Sequence, residues 1–135
     1  MKVYNLDDKE FINSKVYKEF IAEYPGQGTL VIRAYSASGA IPVRNLNIVV
    51  STEYNGDKIV FFNGKTDESG SIKNIFLPTP ASVSNDLDVP KYLTYDVNAL
   101  NDFINESYKV NLYDKISVLQ NINVIPGMEK MNYVS

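Results

Sequence analysis

The 135-residue chain contains no histidine, no cysteine and no tryptophan. Without histidine it lacks the side chain used most often as general acid, general base or metal ligand near neutral pH. Ser-His-Asp and Cys-His triads are therefore excluded, as are zinc sites built from His and Cys and haem held by His. The missing cysteines remove disulfides, yet a domain of this size buries roughly two thirds of its unfolded surface and folds without a staple or a metal. Their absence fits an oxidising or a reducing compartment equally. No stretch approaches the roughly 20 apolar residues of a membrane-spanning helix. The polar start, Met1 to Asp8, lacks the basic and then apolar order of a secretory signal, so synthesis in the cytosol is expected. Thirteen basic against sixteen acidic residues leave a net charge of −3 and a pI near 4.9. Lys and Arg nowhere cluster, which argues against a nucleic-acid partner, because phosphate binding needs concentrated positive charge.

What is present is 44% hydrophobic and 21% charged residues, the balance of one globular domain. Ile12, Val16 and Phe20, flanked by Tyr17, Ile21 and Tyr24, follow the three-to-four spacing of one helix face and predict a helix over 7–24. Asp7 or Asp8 is placed to cap it. Alternatively Ser14 caps a second short helix and the first ends near Asn13. Pro25-Gly26 stops the helix, and from Gly28 the period changes to two, with Leu30, Ile32 and Ala34 opposite Val31, Arg33 and Tyr35. The run Leu46 to Tyr54 alternates likewise and meets Ile59 to Phe62 across Asn55-Gly56, a hairpin turn signal. Thr66 to Gly70 reads as a second turn, followed by a strand from Ser71 to Leu77. Pro78 to Pro90, with its prolines and Asn85-Asp86, reads as an extended loop. Tyr92 to Val97, Tyr108 to Tyr113 and Ile116 to Ile125 read as further strands. Asn101 to Glu106 suits one helical turn, and Met128 to Val134 an edge strand. The expected fold is therefore mainly β, a sandwich of about seven short strands with an N-terminal helix. Residues 1–27 form the helical segment and 28–135 the sandwich.

Gly28-Thr29-Leu30-Val31-Ile32, Ile41-Pro42-Val43 and Thr66-Asp67-Glu68-Ser69-Gly70 leading into Ile75-Phe76-Leu77-Pro78 occur in an order that resembles transthyretin-like, or prealbumin-like, sandwiches. That superfamily includes carboxypeptidase-regulatory-like domains and collagen-adhesin B-type repeats. With Tyr92-Leu93-Thr94-Tyr95-Asp96-Val97 and Asn123-Val124-Ile125-Pro126-Gly127 the chain is similar to a narrower group, the transthyretin-like domain beside the peptidase of spore cortex-lytic proteins. The resemblance implies an accessory role in a sporulation or cell-envelope setting. The chain departs from it in places. Ser107-Tyr108 replaces a Gly-Tyr pair, so the local turn is in doubt. The first strand has Arg33 and no lysine, which argues against the lysine–asparagine crosslink of adhesin repeats. Relatives that hydrolyse hydroxyisourate depend on histidine, and this chain has none.

No residue cluster announces chemistry. Asp67 reads as a turn residue before a ligand, since a tight turn needs an acceptor there. Asn85-Asp86-Leu87-Asp88 supplies three oxygen-bearing side chains, short of the about six to eight oxygens of a calcium site. Asp96 with Glu106 or Glu53 is not singled out by spacing as a glycosidase pair. Ser14, Ser36 and Ser69 lack a neighbouring base, and Gly26-Gln27-Gly28 precedes a strand where a phosphate loop precedes a helix. The expectation is thus a protein that is not an enzyme, without cofactor or metal, which binds a protein partner or peptidoglycan. Tyr92 and Tyr95, beside the Pro-rich loop, are the candidate surface pair, with Asp86 and Asp88 in the loop itself. The alternative interface is the helix face Ile12, Val16 and Phe20. A self-assembling structural protein is the competing class.

Overall fold

The computed structural model describes residues 1–36, 39–82 and 91–124. In chain order these form β1 (Val3–Asn5), α1 (Lys9–Ile12), α2 (Lys15–Glu23), β2 (Gly26–Ser36), β3 (Ile41–Pro42), β4 (Asn47–Tyr54), β5 (Asp57–Lys65), β6 (Ser71–Thr79), β7 (Tyr92–Leu100), β8 (Asn105–Tyr113) and β9 (Ser117–Asn123).

The helical segment breaks in two. The Asp8 side chain accepts the Glu10 N–H at α1, and α1 ends at Asn13. Ser14 then adopts an extended conformation, and its hydroxyl oxygen accepts the Tyr17 N–H to start α2. One continuous helix would forgo that cap. The helical turn expected over 101–106 is absent: the Asn101 carboxamide oxygen accepts the N–H groups of Phe103 and Ile104 and turns the chain directly from β7 into β8. That local acceptor competes with helix formation, the usual reason asparagine favours turns.

Two sheets face each other. The larger runs β1-β5-β4-β7-β8. In the smaller, β2 pairs antiparallel with β6 and β3 and parallel with β9. The alternation read from sequence places Leu30, Ile32 and Ala34 of β2 inside, against Ile48 and Val50 of β4, Val97 and Ala99 of β7, Leu112 of β8 and Ile122 of β9. Each such side chain contributes about 1.5–3 kcal/mol relative to exposure. β1 was not expected. It is three residues long, too short for a period, and pairs parallel with β5, Tyr4 opposite Ile59. β1 and the two-residue β3 raise the strand count to nine among the described residues.

The turns are set by residue type. Asn55 and Gly56 both have positive φ, 52° and 83°, the backbone that matches the twist of the β4–β5 hairpin. Gly70 has φ +76°, and a Cβ there would lie 2.3 Å from the Ala34 carbonyl oxygen, so the turn into β6 accepts no larger residue. The expected edge strand over 128–134 lies outside the described residues.

Candidate functional site

Tyr92 and Tyr95 stand three positions apart on β7, an odd offset that sends them to opposite faces of the sheet. Tyr95 is fully buried. Its hydroxyl donates to the Pro78 carbonyl and its ring meets Phe61 edge-on at 5.6 Å. Burial pushes its phenol far above the ordinary value, with the Tyr17 and Tyr24 phenols adding to it. The expected surface pair therefore does not exist, because the position that alternates with Val97 and Ala99 is a core position. Tyr92 is 48% exposed on the outer face and packs on Tyr113, directly across on β8, with ring centroids 5.6 Å apart.

Below this pair the β7–β8 hairpin carries polar rungs at every second position. The Thr94 hydroxyl donates to Asn111 Oδ1 at 2.7 Å. Lys109 Nζ reaches Asp96 Oδ1 at 2.6 Å, and Asn98 Nδ2 donates to the Ser107 hydroxyl at 3.0 Å and to Asn105 Oδ1 at 3.1 Å. The hydrogen bond and charge of Asp96, with a smaller contribution from Glu53, raise the Lys109 pKa. An exposed cross-strand pair of this kind adds little to stability, because water and salt screen it. The rungs matter more as a rigid polar surface. Nothing in the sequence singled out Tyr113 or the partners on β8. Their signal was the alternation Tyr-Thr-Asp-Asn over 92–98 against Ser-Lys-Asn-Tyr over 107–113, which needs the strand register to be read as one strip.

The turn after Tyr113 anchors the loop that follows β6. Asp114 Oδ1 accepts the Gln27 N–H at 2.9 Å, and Oδ2 accepts the N–H and hydroxyl of Ser82, both at 3.0 Å. These bonds, the Ser82 and Gln27 amides foremost, hold its carboxyl below the usual range. Asp67 behaves likewise, accepting from the Ser71 amide and from the hydroxyl and amide of Ser69, so it is a turn residue as its sequence context implied. A carboxyl whose folded pKa is depressed stabilises the fold above its unfolded pKa and loses that contribution as pH falls through the folded one. The melting temperature should therefore fall as pH drops below about 4, the unperturbed aspartate range. In Asp114→Asn the acid-induced fall should be shallower, with a lower plateau at neutral pH. An identical acid profile in the variant would remove this role. Asp86 and Asp88 lie outside the described residues.

The expected helix face Ile12, Val16 and Phe20 is split by the break between α1 and α2, and only Phe20 is turned fully inward. Phe20 is fully buried among Tyr24, Tyr54 and Phe61, Val16 is half-buried, and Ile12 remains 38% exposed. This second cluster meets the sandwich at Ile59, Phe61 and Leu93. It is packing and not a free interface, because the sheet end it covers is itself apolar. A cleft of about 290 Å³ remains between Tyr17 and Ile21 of α2 with its C-cap Tyr24 on one side and Phe76 and Pro78 of β6 on the other.

Two of the three carboxylates weighed for hydrolysis are engaged elsewhere. Asp96 is held by Lys109, and Glu106 accepts from the Tyr108 hydroxyl, whose pKa is pushed up to about 12 by burial and by that bond. Among the described residues no three His, Cys, Asp or Glu side chains gather to hold a metal ion.

No family model matches the chain, and no curated protein matches it in sequence. Solved structures do match its fold. One is 5-hydroxyisourate hydrolase of Klebsiella pneumoniae, with a TM-score of 0.50 and 14% identity over 74% of this chain and 91% of that one. At such identity the likeness concerns the backbone alone. The two facing sheets, the parallel β2–β9 pair and this match together give the chain the transthyretin-like β-sandwich fold.

Proposed function

We propose that the chain is a non-enzymatic binding or accessory module that recognises a protein partner or a cell-wall component. The observation that carries this reading is the half-exposed Tyr92, packed on the more buried Tyr113, at the head of a polar strip. Tyrosine offers amphipathic contact area at low entropic cost, which suits a recognition surface. A sporulation or cell-envelope setting is part of the proposal on the motif resemblance alone, since no family model and no curated protein matches the chain. The module acts without cofactor. The test is retention of the intact chain on purified wall sacculi and capture of partners from lysate, beside Tyr92→Ala. Retention reduced at least tenfold in the variant is the expected result; equal behaviour of both proteins would remove Tyr92 from the site.

A second reading, a self-assembling structural protein, is favoured by β9. Its residues Ser117–Asn123 include neither charge nor proline, and among the described residues β2 is its sole strand partner. Such an edge accepts another strand readily. Concentration-dependent light scattering without retention on any ligand would favour that reading.

A further inference from the structure

The ligand of this surface has a recognisable chemistry. We propose that it is a neutral oligosaccharide lying along the outer face of β7 and β8, an inference that rests on the binding reading above. Each polar rung fixes its side chains with internal hydrogen bonds and leaves a further donor or acceptor open. With Asn111 Oδ1 taken by Thr94, the Asn111 NH₂ group is open. With Asp96 Oδ1 taken by Lys109, the second Asp96 oxygen and two Lys109 N–H donors are open. Asn98 spends its NH₂ group on Asn105, Glu106 and Ser107, which orients its carbonyl oxygen as an acceptor. Donors and acceptors thus interleave along the strip. A sugar hydroxyl is both at once, and so pairs with either kind without the strip rearranging, which lowers the ordering cost of binding.

Geometry and charge narrow the class. Rungs two residues apart are spaced by roughly 6.8 Å, so the four from Tyr92/Tyr113 to Asn98/Ser107 span roughly 20 Å, the length of several sugar units. The Tyr92–Tyr113 pair closes one end with an aromatic surface on which an apolar sugar face can stack. Asp96 and Lys109 cancel, and Glu53, which also acts on Lys109, stands opposite Lys58 across β4 and β5. A surface so balanced has no preference for a polyanion. Its rungs also lack the apolar centre that a protein interface buries.

The test is an amide-resolved NMR titration of the full chain with cellohexaose and chitohexaose, and with a sulfated hexasaccharide as the charged comparison. Saturable shifts confined to β7 and β8 with a neutral hexasaccharide are expected. Affinity should fall at least tenfold in Tyr92→Ala and severalfold in Asn111→Ala. It should be unchanged in Phe76→Ala, an exposed aromatic on β6. Shifts elsewhere, a response to the sulfated sugar alone, or no response at all would overturn the glycan assignment. Retention on sacculi or on a protein through Tyr92, without response to either neutral sugar, would overturn the glycan class and leave the binding module standing. Loss of both would overturn both.

Discussion

Tyr95→Ala is expected to lower the unfolding free energy by about 3–5 kcal/mol, the range for deleting a large aromatic side chain from a packed core. The ring is fully buried and touches Phe61, and its hydroxyl is the donor to the Pro78 carbonyl. Leaving that carbonyl without its partner adds about 1 kcal/mol to the same loss. Against a total stability of about 5–15 kcal/mol for a domain of this kind, the variant is left marginal at 37 °C. Tyr92→Ala, three residues away, should cost less than about 1 kcal/mol, since half of its ring is already in water and only the contact with Tyr113 is lost. Urea unfolding of the two variants, with unchanged dependence on denaturant, is the measurement. Equal losses would mean that Tyr95 does not point into the core while Tyr92 points out. The contrast also governs how the surface is tested, because a double Tyr92/Tyr95 variant would lose binding by unfolding.

Phe20→Ala is expected to cost a similar amount, about 3–5 kcal/mol, by a different route. Phe20 sits among Tyr17, Tyr24, Tyr54 and Phe61 at centroid distances of 6.4, 4.9, 5.1 and 5.6 Å. It is the central side chain joining α1 and α2 to the sheet end at Ile59 and Phe61. Phe11 and Tyr24 add to the attachment, as do the three register pairs between β1 and β5 and the Leu6 N–H donated to the Val60 carbonyl. The variant should therefore open locally before it unfolds globally. Hydrogen exchange should show α2 amides losing protection while β4 and β7 keep theirs, and limited proteolysis should cut within residues 1–24. Simultaneous loss of protection in α2 and β4 would show instead that the helices and the sandwich form one cooperative unit.

The fold was largely legible in the sequence. The period-two runs in β2 and β4 separated the core side chains from the outward ones, since alternation is a local consequence of the pleat, whereas in β7 the expected surface pair put the buried Tyr95 on the wrong face. Asn55-Gly56 marked its hairpin for an equally local reason, the positive φ its turn demands. The two-helix alternative was also present, in Ser14. What failed were features with competing local solutions or none. The helical turn at 101–106 lost to the Asn101 side chain. β1 carries no period of its own and becomes a strand only because β5 offers an edge.

The candidate surface divides along the same line. Composition by itself removed whole classes of chemistry, because a side chain absent from the chain is absent from every arrangement of it. Alternation along β7 separates Tyr92 from Tyr95, yet it does not say which of the two meets the core. Only the facing of the sheets decided that, by burying Tyr95 against Phe61 and the Pro78 carbonyl. Tyr113, Asn111 and Lys109 became neighbours of Tyr92, Thr94 and Asp96 through the register of two strands. Register is a property of paired backbones, so a strip assembled across it exists only once the tertiary structure has formed.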